Sequence, residues 1–206
     1  DLKGVLHCHS TWSDGTNSIE EMAEAAYAMG LTYLGLCDHS RAAAYAGGMS
    51  IERVGEQHLA IDAVNAKWGP SFRVLKGIEV DVLADGSLDY PDEVLAGFDL
   101  VVASVHSRFG LQAPEQTERM IRAVSNPYVD ILGHPTGRLL LTRDPYPLDL
   151  FAVIDAAAER GVAVEINAHP QRLDLDPAGL RHGLAKGMKT SVNPDAHDTA
   201  GLADIA

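Results

Sequence analysis

The sequence predicts an α/β fold in which seven parallel strands form either a closed barrel or an open doubly wound sheet. Seven short runs rich in Val, Ile and Leu alternate with longer stretches of helical period. This alternation is typical of strand–helix–strand units that share a parallel sheet. The length of 206 residues suits a single α/β barrel, and no linker or repeat divides the chain, so we expect one domain over residues 1–206.

The seven predicted strands are short, apolar and rich in β-branched residues. In chain order they cover residues 4–9, 33–39, 73–83, 100–106, 130–134, 162–167 and 189–197.

Five helices are predicted between the strands. Ser18 with Glu21 three residues later forms a capping box, Ser50 is a second N-cap, and Gly161 and Gly187 are typical of helix C-termini. The predicted helices cover residues 18–29, 50–68, 114–124, 148–160 and 176–186.

Composition excludes several classes of protein. The formal charge is −13, from 16 basic and 29 acidic residues, which argues against a basic face that holds DNA by itself. No apolar run approaches the ~18 residues that a membrane helix needs, so we expect no membrane partner. Cys8 and Cys37 are the only cysteines, which indicates a reducing, cytoplasmic compartment. Because the chain starts at Asp1 without Met, we expect it to be a piece of a longer polypeptide.

Metal-ligating side chains recur at the predicted C-terminal strand ends. In parallel α/β folds these ends form one rim, where active sites lie. A single histidine there is more often a hydrogen-bonded core residue than a ligand, but six strand ends carry such residues here. The candidate ligands are His7, His9, Asp14, His39, Glu79, His106, His134, Asp195 and His197.

Nine nitrogen and oxygen donors exceed what one ion takes, since zinc binds about four ligands and octahedral ions about six. They suit two or three divalent ions that share a carboxylate. Such sites hydrolyse phosphate esters, because bound ions lower the pKa of water and neutralise the leaving oxygen. Imidazole and carboxylate ligands admit Mn²⁺, Zn²⁺ or Fe²⁺.

Several short motifs occur in a fixed order along the chain. They are His7-Cys8-His9, Ser13-Asp14-Gly15, Asp38-His39, Glu79, Ser87-Leu88-Asp89-Tyr90, His106, residues 133–140, Glu165-Ile166-Asn167, residues 172–175 and Asp195-Ala196-His197. With these motifs the chain resembles the polymerase and histidinol phosphatase (PHP) family, and most closely the PHP domain at the C-terminal end of bacterial family X DNA polymerases. The resemblance implies a distorted (β/α)7 barrel with three metal ions.

The resemblance also implies how the ligands are shared, with Glu79 bridging the first two ions. The sets are His7, His9, Glu79 and Asp195 for the first ion, Glu79, His106 and His134 for the second, and Asp14, His39 and His197 for the third. We expect Glu79, His134 and Asp195 to be the catalytic residues.

The function implied is metal-dependent 3′–5′ exonuclease activity in DNA repair, with DNA 3′ ends and a polymerase domain of the same chain as partners. Two alternatives are a small-molecule phosphomonoesterase of the histidinol-phosphatase type and a non-catalytic metal-bearing domain. Arg108 and Arg138 follow candidate ligands closely and are the predicted substrate-binding residues. Arg172 is expected to pair with Asp174 or Asp176.

Overall fold

A computed structural model describes residues 2–205; Asp1 and Ala206 lie outside them. Seven parallel strands follow one another in a single sheet, in the order of the sequence. They are β1 (Gly4–Cys8), β2 (Tyr33–Leu36), β3 (Arg73–Asp81), β4 (Leu100–Ser104), β5 (Ile131–Leu132), β6 (Ala163–Asn167) and β7 (Thr190–Asn193).

The sheet curls into a nearly closed barrel, so the barrel is confirmed and the open sheet is not. The first half of β3 pairs with β2, and the half that starts at Gly77 pairs with β4. A Cβ at Gly77 would lie 2.5 Å from the Leu36 carbonyl oxygen, so only glycine allows this close turn of the sheet. The barrel closes where β1 meets β7, since His9 donates its backbone N–H to the Ala196 carbonyl at 2.8 Å.

The helices surround the barrel. The predicted capping box of Ser18 and Glu21 is present, Ser50 caps the second helix, and Gly161 ends the fifth in the left-handed region. A short helix between β3 and β4 was not predicted. Within residues 2–205 the α-helices are α1 (Ile19–Ala28), α2 (Ile51–Trp68), α3 (Asp92–Leu95), α4 (Ala113–Val124), α5 (Leu150–Arg160) and α6 (Pro177–Ala185).

The apolar core lies mainly between the strands and the helices, with a smaller cluster inside the barrel. Cys8 packs in the outer layer against α1, beside Met22. Cys37 lies in the inner cluster with Leu100 and Val102. Both cysteines are therefore buried packing residues, as their strand parity predicts. Within residues 2–205, no helix is long and apolar enough to cross a membrane.

Most strands end earlier than predicted, and the candidate ligands lie at the strand ends or just beyond them. β5 keeps two residues and β7 four. The backbone leaves the extended region at His134 (φ 21°) and Asp195 (φ 52°), which are left-handed values for residues with a side chain. Such conformations cost about 1–3 kcal/mol each and collect at functional sites. The local turn aims both side chains into the mouth of the barrel.

Candidate metal centre

All nine candidate ligands meet at the carboxyl ends of the strands, and Glu79 lies at their centre. Its carboxylate is buried, and nitrogens of five histidines lie 2.9–3.7 Å from its oxygens. In order of distance the five are His134, His39, His106, His7 and His9. One carboxylate thus joins five histidines from four strand ends.

The other two candidate carboxylates extend this group to the sixth histidine, His197. Asp195 Oδ1 lies 3.2 Å from His9 Nε2 and 3.6 Å from His7 Nε2. Asp14 Oδ1 lies 3.4 Å from His197 Nε2 and 3.6 Å from His39 Nε2. The predicted convergence of strand ends therefore brings six imidazoles and three carboxylates into one continuous cluster.

Three overlapping groups of ligand atoms within the cluster are compact enough to hold an ion, each with all its atoms within 4.8 Å of one another. They differ from the sets implied by resemblance in three members: Glu79 is missing from the first, His39 takes the place of His134 in the second, and His9 joins the third. The groups are His7, His9 and Asp195; His39, Glu79 and His106; and His9, Asp14, His39 and His197.

The carboxylates of the cluster are held ionised. Burial alone would raise the pKa of Glu79, but His106, His7 and His39 keep it well below its usual value. The pKa of Asp195 is also well below its ordinary value, because His7 and His9 outweigh its burial. Both side chains therefore remain oxygen ligands with full negative charge.

The imidazoles divide into protonated and neutral members. Burial would lower the pKa of His39 and His106, but nearby carboxylates, Glu79 first, raise it to about 10 and about 9. Burial lowers the pKa of His9 to about 3. An imidazole must be neutral to bind an ion, so ion binding displaces the protons of His39 and His106.

The donor atoms fit divalent ions. Several imidazole nitrogens are buried and have no hydrogen-bond partner among residues 2–205, which is costly unless another ligand is bound. They include His7 Nε2, His9 Nδ1 and His134 Nδ1. Mixed imidazole and carboxylate donors suit zinc, manganese and iron.

Two further carboxylates, neither of them predicted as a functional residue, orient the candidate ligands. Glu165 Oε1 lies 2.7 Å from His7 Nδ1, and Glu165 Oε2 accepts the His134 backbone N–H at 2.8 Å. Asp81 holds His106 Nδ1 in a short contact. Carboxylates behind ligating histidines fix the ring and its tautomer. Strand parity offered a signal for Asp81, which shares a face with Glu79.

Asp38 is not part of the cluster; it holds the loop that carries Asp14. This carboxylate is fully buried and accepts hydrogen bonds from the Ser10 backbone and hydroxyl, from Ser13 Oγ and from Gln57 Nε2, at 2.6–2.8 Å. The loop after β1 is therefore fixed to the end of β2.

Arg172 lies elsewhere than expected: its Nε donates to Asp195 Oδ2 at 3.1 Å. The predicted pairing with Asp174 or Asp176 was wrong, because Arg172 pairs with Asp195 instead. Asp174 accepts from the backbone and hydroxyl of Thr136, and Asp176 caps α6. Nη1 of Arg172 is buried without a partner within residues 2–205. This arginine thus adds a positive charge and a free donor to the cluster.

The two predicted substrate-binding arginines differ in the contacts that their side chains make with the rest of the protein. Arg138 donates from Nε to the Arg172 carbonyl at 2.9 Å and from Nη2 to the Leu173 carbonyl, so it braces the loop that carries Arg172. Arg108 is exposed and forms no ion pair with another described residue. Arg143 donates to the Gly137 carbonyl.

Residues 6–169 match the family model described as the PHP domain. The chain is 45% identical over 204 residues to the DNA polymerase/3′-5′ exonuclease PolX of Bacillus subtilis, with 99% of this chain and 36% of the relative covered. It therefore spans about a third of the length of that relative.

Two further proteins are similar over nearly the whole chain. A probable phosphatase of Caldanaerobacter subterraneus is 31% identical over 210 residues, with 95% of this chain and 77% of the relative covered. The histidinol phosphate phosphatase of Lactococcus lactis, solved with zinc, L-histidinol and phosphate, has a TM-score of 0.72 and 19% identity. The match covers 99% of this chain and 91% of that structure, so the fold is shared.

Proposed function

Because this chain belongs to the PHP domain family, we propose that it is a metal-dependent phosphoesterase that removes nucleotides from DNA 3′ ends. The observation that carries the chemistry is the convergence of eight further metal-competent side chains around Glu79. The choice of DNA is supported by 45% identity to PolX over 99% of the chain.

We assign all nine side chains to metal binding and give Glu79, His134 and Asp195 contact with the reacting groups. Bound ions would supply an activated water and positive charge at the phosphoryl oxygens. Glu79 gathers the histidines, and its depressed pKa keeps it an acceptor rather than an acid. Burial, and secondly the positive charge of Arg172, lower the pKa of His134. This imidazole is therefore neutral and available as a ligand.

Substrate placement falls to the arginines. The unpartnered Nη1 of Arg172, beside Asp195, is suited to a phosphoryl oxygen. Arg138 also contributes to substrate binding, in part by holding the loop that carries Arg172. The exposed Arg108 is free to contact a phosphate further along the strand.

The setting proposed is one PHP domain over residues 1–206 within a longer, cytoplasmic DNA polymerase chain that acts in repair. The relative PolX, of which this chain covers 36%, supports this setting. A polymerase domain in the same chain would supply the basic DNA-binding surface that a charge of −13 does not. We propose two or three ions of Mn²⁺, Zn²⁺ or Fe²⁺ as cofactors.

A phosphomonoesterase of the histidinol-phosphatase type is the second candidate. It is favoured by the acidic net charge and by 31% identity to a probable phosphatase that the chain covers for 77% of its length. A non-catalytic metal-bearing domain is a third reading, and the complete ligand cluster argues against it.

The test compares two substrates with the Mn²⁺-loaded chain. A 5′-labelled single-stranded oligonucleotide should shorten from its 3′ end, with a rate that falls as salt rises, since several phosphates are contacted. Phosphate release from histidinol phosphate should be slow. Rapid phosphate release with an intact oligonucleotide would replace the nuclease by the phosphatase, and no reaction with either would favour the non-catalytic domain.

A further inference from the structure

Tyr45 is an exposed aromatic side chain at the mouth of the metal centre. Its relative exposure is 72%, yet its ring centroid lies 6.4 Å from the ring of the candidate ligand His39. Partial burial, and then the carboxylates of Glu79, Asp81 and Asp14, raise the pKa of Tyr45 to about 12. The ring therefore lies beside the cluster while most of the side chain is exposed to solvent.

The turn that carries Tyr45 is firmly held. Ala43 and Ala46 flank it as buried anchors, with exposures of 0% and 3%. The backbone N–H of Ala42 is bound by Asp89 Oδ2 at 2.8 Å, and that of Met49 by the His39 carbonyl at 2.8 Å. A ligand that contacts the ring thus meets a preformed surface and need not order a loop.

Tyr45 differs from the other exposed aromatic side chains of the protein. Tyr27 is 45% exposed and packs against Trp68, with ring centroids 4.6 Å apart. Phe151 is 46% exposed and stacks on His182 at 4.4 Å. No ring in residues 2–205 stacks face to face on Tyr45. A large apolar face beside a hydrolytic cluster, without a stacking partner, is suited to a planar ligand.

We propose that Tyr45 stacks on the nucleobase next to the scissile phosphate and thereby selects nucleotide substrates. This inference rests on the proposed function and adds to it a base-binding subsite. Every base has a π-face and can stack on the ring. The subsite therefore distinguishes a nucleotide with a base from one without a base, but does not distinguish one base from another. From the usual contribution of base–aromatic stacking, we expect loss of the ring to reduce the preference for substrates with a base by about fivefold or more.

A binding experiment detects the stack directly. The oligonucleotide carries 2-aminopurine at its 3′ end, and stacking quenches the fluorescence of this base. A phosphorothioate as the last linkage slows cleavage. With the Mn²⁺-loaded chain we expect quenching for the unmodified protein and for Tyr45→Phe, and loss of quenching for Tyr45→Ala. Phe151→Ala, on the outer surface of α5, is the matched control and should quench normally. Full quenching by Tyr45→Ala would overturn the proposal.

A rate experiment separates this inference from the proposed function. Oligonucleotides with and without a base at the 3′-terminal nucleotide are compared. The unmodified chain and Tyr45→Phe should prefer the base about fivefold or more, and Tyr45→Ala should show a ratio near one with unchanged metal content and melting temperature. Shortening with the same ratio in Tyr45→Ala would refute the subsite and leave the nuclease standing. Absence of shortening for every oligonucleotide, beside intact metal binding, would refute both.

Discussion

Replacement of Asp38 by alanine should destabilise the chain more than removal of any exposed carboxylate. The change leaves three buried donors without an acceptor: the backbone and hydroxyl of Ser10, and Gln57 Nε2. Each unsatisfied buried donor costs about 1–3 kcal/mol. Removing a buried charge offsets part of this, since burial raises the pKa of Asp38. We therefore expect a loss of about 3–5 kcal/mol in the free energy of unfolding.

Urea unfolding followed by circular dichroism, with chelator present in every sample, measures this loss apart from metal binding. For a chain of this size the loss equals about 6–20 °C in melting temperature. The control is Asp62→Ala. Asp62 is 57% exposed and forms an ion pair with Lys76 at 2.7 Å. Its removal should lower the free energy of unfolding by less than about 0.5 kcal/mol. A loss below about 1 kcal/mol for Asp38→Ala would refute the reasoning.

Three further predictions concern the metal centre and the substrate. Chelation should lower the melting temperature. Mn²⁺ at 100 times Kd should restore about 2.7 kcal/mol of unfolding free energy per site, which equals about 5–11 °C in melting temperature. Equal melting temperatures with and without metal would contradict metal binding by the folded state. Glu165→Gln should weaken metal affinity in calorimetry by about 10–100-fold because His7 loses its orienting carboxylate, whereas the exposed Glu118→Gln should not; equal affinities would remove this role. Arg108→Glu should reduce the salt slope of oligonucleotide cleavage by about one while sparing a small phosphodiester, and an unchanged slope would exclude a phosphate contact.

Much of the fold and of the cluster could be predicted because both depend on short-range patterns. The alternation of strands and helices fixes a parallel sheet, and a parallel sheet collects its strand ends at one rim. Residues such as Glu79 and His106 then meet whatever the exact register. The predicted strand boundaries were less accurate, since backbone turns such as that at Asp195 leave no mark in hydropathy.

The supporting residues depend on tertiary closure, which the sequence pattern does not encode. Glu165 and His7 are 158 residues apart and meet only because the barrel brings β6 towards β1. Arg172 reaches Asp195 because the loop after β6 folds back, which local charge pairing did not indicate. The exposure of Tyr45 likewise depends on a turn between β2 and α2 that has no sequence signature of its own.

If one cluster holds several ions with Glu79 shared between them, the number of ions bound per chain will show it. Elemental analysis after saturation with Mn²⁺ and desalting should find about three ions per chain. Glu79→Ala should keep about one, because the shared carboxylate is lost, and His197→Ala, whose histidine belongs to one group only, should lose only about one. One ion or fewer in the unmodified chain would contradict the account.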